Sequence, residues 1–309
     1  MSAAQSTSHI FMVRPSVFYG NPQTATNNYF QQTSLENTAT TTRKAQAEFD
    51  DLVSVLRAAG VQVSVWQDEA DSDTPDAVFP NNWVSFHHPN TRIIYPMFAP
   101  NRRLEIRSAP LQMLESQGFE MAVTHDFSDY ASKGLFLEGT GSMVLDRIHK
   151  KAYCALSERC HRELVELFCE RMGYEAVVIH AYQSYQNQRM PIYHTNVMMC
   201  VGTDFAVVCL DTVDHAAERE MLLQSLQDDG KEVIAISEVQ VHAFAGNMME
   251  VCNTDGKRFV VMSKSAYESL TTVQIQQLEQ YVTLLHSALE TIESLGGGSA
   301  RCMMAAVFN

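Results

Sequence analysis

The chain has 309 residues, 46% of them hydrophobic, enough to bury a large core in one large domain or two ordinary ones. Its formal charge of -14 makes nucleic acid a poor partner, because that affinity rests on Lys and Arg neutralising phosphates; a small-molecule ligand is expected instead. Seven cysteines with no C-x-x-C spacing argue against a disulfide framework or zinc ribbon, and the absence of a signal peptide or membrane-length apolar run points to a cytoplasmic protein with no membrane partner.

Residues 1–9 read as a polar tail, and 10–309 as a single domain built on a recurring unit. The first strand is FMVRPSVF, followed by a helix over 41–59. Ala45, Phe49, Leu52, Val53 and Leu56 form its apolar stripe, the pattern of a helix laid on a sheet. Gly60 ends it and leads into the alternating strand VQVSVW. The same transition recurs at Gly118, Gly173 and Gly230, about 55 to 58 residues apart, with glycine supplying a left-handed helix cap. Between each glycine-led strand and the next helix lies a hairpin-like pair, such as GSMVLD-RIHK-KAYCAL or NMMEVC-NTDG-KRFVVM. His87 and His88, beside Pro89, are expected in a loop. A long helical stretch over 272–295 precedes Gly296–Gly298 and a last strand, ARCMMAAVF.

Each unit therefore reads strand, strand, helix, strand, with the fifth split between the two ends of the chain. Five units closing into a ring would set the last strand beside the first; an ordinary doubly wound α/β domain is the alternative. Aligned on their first strands, the units place Asn82, Glu138, His194, Asn247 and Cys302 at equivalent positions, about 55 residues apart. A ring directs equivalent positions at the common axis. Cysteine, histidine and glutamate converging there supply a nucleophile, an acid/base and a charged orienter. Taken singly, each has a plainer reading: a core cysteine, a core histidine, a capping or ion-paired glutamate. The register of all three with the repeat favours the chemical one. The Met198–Met199, Met248–Met249 and Met303–Met304 pairs are read as core filling, and no set of residues has metal-ligand spacing.

The segments EGTGS, YHTN, PDAVFPNNW, APNRRLE and the Cys near the C-terminus resemble the guanidino-group-modifying, or pentein, superfamily, over nearly the whole chain from residue 12 onward. The resemblance is strongest to its citrulline-utilisation hydrolase branch. It implies a five-bladed α/β propeller of ββαβ modules with pseudo-fivefold symmetry, and no metal or organic cofactor. It implies Cys302 as nucleophile, His194 as general acid/base and Glu138 as the carboxylate partner. Arg102 or Arg103 of the RRxE segment would take the substrate α-carboxylate, with Asn82, Asn196, Asn247 and Asp76 as further substrate-binding candidates.

Where guanidine-specific relatives carry aspartates, this chain has Asn82 and Asn196. An amide is neutral and also donates, so the site as written suits a ureido group better than a guanidinium, unless Asp76 supplies the missing carboxylate. The expected reaction is hydrolysis of citrulline to ornithine, ammonia and carbon dioxide through a thiol-bound intermediate. Arginine deiminase, dimethylarginine dimethylaminohydrolase-like or amidinotransferase activity is the alternative, and a silent amino-acid-binding protein the non-enzymatic one. A homo-oligomer is compatible with the sequence.

Overall fold

The computed structural model describes residues 4–69 and 73–308. Its backbone is organised around five three-stranded sheets of one construction. In each, two antiparallel strands are followed by a helix and a third strand parallel to the second; parallel neighbours need such a crossover. Val84–His87, Thr91–Ile94 and Val123–Asp126 form one sheet, with the helix Ser108–Ser116 crossing between the last two. Met143–Asp146, Lys151–Ala155 and Glu175–Ile179 form the next, crossed by Arg162–Met172. Met199–Val201, Phe205–Val208 and Glu232–Ala235 follow with Ala216–Asp228, then Met249–Cys252, Arg258–Ser263 and Thr283–Ser287 with two short helices.

The remaining sheet joins the two ends of the chain. Ala305–Ala306 pairs antiparallel with His9–Arg14, which lies parallel to Gln62–Gln67 across the helix Thr38–Ala58. First strands of different sheets touch, Ala305–Ala306 against Val84–His87 and Met199–Val201 against both Met143–Asp146 and Met249–Cys252. No helix among the described residues is long and apolar enough to cross a membrane.

Local sequence accounts for most of these elements. All five stripe residues of the first helix are buried, as is Thr41, and Asn37 caps its start by accepting from the Thr40 amide. Gly60, Gly118, Gly173 and Gly230 all have positive φ, between 67 and 94°, where a side chain would be strained. The six paired methionines are buried. Within residues 4–9, the Gln5 amide is tied down, donating to Leu145 O and Val201 O, both at 2.9 Å.

Three expectations need correction. The stretch 272–295 is not one helix: Thr272–Glu279 is helical, Thr283–Ser287 is a strand and Ile292–Gly296 a π-helical turn. Thr283–Ser287 has a parallel partner in Arg258–Ser263, and that ladder outweighs local helical spacing. His87 ends a strand and is buried, its Nε2 on the Ser85 hydroxyl at 2.7 Å, rather than lying in a loop. The five equivalent polar residues do not sit on strands. Asn82 lies in the 3-10 turn Pro80–Asn82, Glu138 and His194 cap the short helical turns Gly139–Ser142 and Thr195–Val197, and Asn247 and Cys302 lie in or beside turns just before their strands. Such turns aim polar side chains out of the β-ladder while the strands behind them carry the apolar core.

Candidate active site

Glu138 and His194 are buried against each other, with His194 Nε2 and Glu138 Oε2 2.8 Å apart. That contact leaves Nδ1 as the ring nitrogen without a hydrogen-bond partner among the described residues. Gly141 makes room for it: a Cβ there would lie 2.7 Å from His194 Nδ1 and 2.4 Å from Asn82 Nδ2. Cys302 lines the same small cavity as His194, together with Asn82, Asp76, Arg102 and Arg159. Two amide N–H groups point at its sulfur, from Asn247 Nδ2 at 3.3 Å and Asn196 Nδ2 at 3.5 Å. A thiolate accepts such bonds well and a thiol weakly.

Two arginines set the electrostatics. Arg159 Nη1 stands 3.5 Å and Arg102 Nη1 3.7 Å from Glu138 Oε2. Burial by itself would raise the Glu138 carboxyl, but Arg159, the hydrogen bond from His194 and Arg102 outweigh it and hold Glu138 well below the usual carboxylate range. His194 is pushed down to about 4 by burial, with Arg159 and Arg102 opposing the pull of Glu138. Near neutral pH the pair is therefore a charged carboxylate and a neutral imidazole, with Nε2–H donated to Glu138 and Nδ1 ready to accept a proton.

Of the residues expected to bind substrate, Asn82, Arg102 and Asp76 line the cavity. Arg102 is the inward arginine of its pair, but its fork is filled: Nε and Nη2 each donate to Glu105 at 2.9 Å, and Nη1 donates to Asn82 Oδ1 at 2.8 Å. Arg103 faces elsewhere, donating to Met97 O and Phe98 O. Asn196 and Asn247 do not line the cavity; the turns that carry them direct their amides onto Cys302 instead. Asn196, expected to meet the substrate, contacts the Cys302 sulfur here. Asp76 Oδ2 accepts from Asn21 Nδ2 at 2.8 Å, while Oδ1 is buried without a partner.

Arg159 was not singled out from sequence. It follows the second strand of its sheet in SERCH, and nothing in that segment distinguishes it from a surface arginine. Its inward contacts are with the loop over 20–32: Nε donates to Asn27 Oδ1 at 2.9 Å and Nη2 to Thr24 O at 3.0 Å. The loop is further held by Asn28 Nδ2 on Gly296 O at 3.2 Å and Gln31 Nε2 on Leu295 O at 3.1 Å. Thr24 and Asn28 form part of the cavity wall, and the space left has room for about one water molecule.

Among the described residues, one trio, Asp146, His149 and Asp229, brings ligand-type atoms within 4.8 Å of one another. It lies away from the cavity, and its acids are already paired with Lys231 at 3.0 Å and Lys151 at 2.8 Å.

Comparison with solved structures places this architecture among known enzymes. The chain superposes on the apo structure of ArgZ, a cyanobacterial arginine dihydrolase of the ornithine-ammonia cycle, with TM-score 0.74 and 14% identity, covering 97% of this chain and 40% of that one. The N-terminal domain of ArgZ, in a cysteine-to-serine mutant bound to substrate, matches at TM-score 0.72 and 16% identity, covering 97% and 98%. DDAH from Pseudomonas aeruginosa, a cysteine-to-serine mutant complexed with citrulline, matches at 0.66 and 14%, covering 97% and 99%. The chain thus spans less than half of full-length ArgZ and nearly all of its N-terminal domain. A search of curated protein sequences gives no match.

The fold is that of these guanidino-modifying enzymes, and a family match over nearly the whole chain shows it to be a hydrolase acting on C–N bonds other than peptide bonds. Residues 14–309 match the family model described as N,N dimethylarginine dimethylhydrolase, eukaryotic, and the chain belongs to that family.

Proposed function

We propose that this hydrolase acts on the ureido group of citrulline, with Cys302 as nucleophile, His194 as acid/base and Glu138 as its orienting partner. The observation that carries the reading is the fixed direction of the Asn82 amide. Arginine can only donate, so the Asn82 oxygen must face Arg102 Nη1. That leaves Nδ2 beside His194, where one N–H is spent on Asn81 Oδ1 at 3.1 Å and the other is open to a ligand. An N–H donor complements a ureido oxygen and opposes a guanidinium.

In the proposed reaction Nδ1 of His194 takes the thiol proton and Cys302 attacks the ureido carbon. The proton passes to the departing nitrogen, ammonia leaves, and an alkyl thiocarbamate remains on sulfur. Water, deprotonated by His194, then cleaves the C–S bond. The thiol is restored and a carbamate is released that loses carbon dioxide to give ornithine. Arg159, freed of Asn27 and Thr24 when the loop opens, is the proposed anchor for the α-carboxylate, and the unpartnered Asp76 Oδ1 the proposed acceptor for the α-ammonium. We further propose that the five sheets close as a five-bladed propeller in one domain, supported by their common construction and the contacts between their first strands.

A second reading has its own support. Asp76 lines the cavity with its Oδ1 unpartnered, and this carboxylate oxygen would accept from a guanidinium if it faced the side-chain end of the substrate. Arginine could then be the substrate, hydrolysed once to citrulline or twice to ornithine, the reaction named for ArgZ.

Release of ammonia from citrulline and arginine, and of methylamine or dimethylamine from the methylarginines, separates the readings. Citrulline is expected to be turned over fastest, Cys302→Ser to abolish turnover with the fold retained, and Asn82→Asp to shift the ratio of specificity constants towards arginine by about tenfold, which takes about 1.4 kcal/mol. Faster turnover of arginine by the wild-type protein gives the lead to the second reading.

A further inference from the structure

Consecutive residues Arg301 and Cys302 line different cavities. The cavity behind the nucleophile is bounded by Gln5, Arg147, Asn196, Met248, Glu250 and Arg301. Neither of its arginines is paired with a carboxylate among the described residues. Arg301 Nη1 donates to Met304 O at 2.7 Å. Arg147 Nη1 contacts His87 Nδ1 at 3.2 Å, and its guanidinium lies 4.1 Å from the centre of the Phe308 ring. These partners are all neutral: burial pushes His87 well below its ordinary value, with Arg147 adding to the effect.

The contrast with the catalytic cavity is plain, since Arg102 and Arg159 each stand within 4 Å of carboxylates. Glu250, the one acid on the second cavity's wall, is turned away. Its oxygens accept from Thr203 N at 2.9 Å and Thr203 Oγ1 at 2.6 Å, and Arg258 lies 3.9 Å off. Two guanidinium groups held largely out of water with no carboxylate partner among the described residues are costly, and burial pushes Arg301 down to about 10 and Arg147 down as well. With a chain charge of -14, attraction of an anion here is local and not a property of the whole surface. Gln5 spans the edge of the space, accepting from Arg147 N at 2.7 Å while its amide donates to two different sheets.

We propose that this cavity binds a small monoanion, of halide, formate or bicarbonate size, bridged by Arg147 and Arg301. The occupant sits beneath the turn that carries Cys302 and supplies the missing counter-charge, ordering the turn from the side opposite the substrate. Larger anions are excluded by the narrow space and by Gln5.

The test is a bromide soak of crystals of the full chain, located by anomalous scattering, together with melting curves in chloride, bicarbonate and gluconate at equal ionic strength. Gluconate is too large to enter. An anomalous peak between the two guanidinium groups is expected, and chloride or bicarbonate should raise the melting temperature over gluconate by about 5 °C at a hundredfold excess over the dissociation constant. Stabilisation by bicarbonate alone would assign the site to an anion derived from the carbon dioxide released. Stabilisation by both would assign it to small anions in general. Arg147→Gln should lose both the peak and the stabilisation, and Arg147→Lys should keep part. No bromide in the cavity together with no stabilisation by bicarbonate, or the same salt response in Arg147→Gln and wild type, overturns the proposal.

Discussion

At the residue scale, the two buried arginines divide the work. Arg102 is saturated by Glu105 and Asn82, so it holds the Asn82 amide in place and stabilises the Glu138 charge without a free edge for substrate. Arg159 spends its donors on the loop over 20–32, and in the proposed function these are the donors the substrate carboxylate takes over. Arg159→Lys keeps the charge but loses the planar fork. We expect KM for the amino acid to rise about 10- to 100-fold with a smaller fall in kcat, in steady-state kinetics; an equal fall in kcat with KM unchanged would place Arg159 at the transition state instead. That Cys302, His194 and Glu138 lie together was legible in the sequence because three unlike, chemically capable residues fell in register with a repeat. Asn247 fell in the same register and Asn196 two residues after His194, and both donate to the Cys302 sulfur. Side-chain direction on a short turn does not follow the alternation of a strand, and sequence spacing does not record which kind of backbone carries a residue. Arg159 had no register to reveal it, since its place in the site depends on how a turn and a distant loop meet.

At the scale of elements, the turn Gly139–Ser142 shows how closely backbone and chemistry are fitted. A methyl group at Gly141 would meet Asn82 Nδ2 at 2.4 Å and the His194 ring at 2.7 to 2.8 Å, and the ring cannot retreat without lengthening its bond to Glu138. Gly141→Ala is expected to cost about 1–3 kcal/mol of stability, as other overpacked sites do, and to lower kcat by about 100-fold or more because a displaced imidazole misses its proton. Melting curves and kinetics on the same preparation check both; wild-type turnover in that variant would mean the ring has room the structure does not show. Helices and their glycine caps were readable from the sequence because stripe and cap are local signals. The stretch 272–295 was not, because Thr283–Ser287 takes its conformation from a neighbouring strand some twenty residues earlier in the chain.

Across the whole molecule, buried neutral histidines weaken the fold in acid, and Glu105, raised by burial to about 7, offsets part of that loss. His194 is pushed down to about 4 and His87 well below its ordinary value, burial being the first cause in both. Their unfolded counterparts titrate near 6.5. Between that value and the folded one the unfolded chain binds more protons, so the stability these groups contribute is whole above about pH 6.5 and is lost as pH falls towards 4. Each contributes a slope of up to about 1.4 kcal/mol per pH unit in that window. Denaturant titrations at pH 7, 5.5 and 4.5 should show the loss, and a flat profile would mean that at least one of these imidazoles is protonated in the folded protein.

The sheet that joins His9–Arg14 to Ala305–Ala306 has a consequence for how the molecule comes into being. Cys302 lies three residues before a strand of only two residues, and that strand is held by a partner nearly three hundred positions away. The entropy of closing so long a loop grows only logarithmically with length, so its cost is tolerable, but it can be met only when both ends of the chain are available. Four of the sheets can pair from sequence-local segments, while the one beside the nucleophile is completed by the most distant contact in the fold. In refolding, secondary structure should therefore recover ahead of thiol protection at Cys302, and activity should track the latter. The proposed nucleophile is in effect a reporter of topological completion: a chain that has folded everywhere else still leaves the setting of Cys302 unbuilt until residues 10–11 find 305–306.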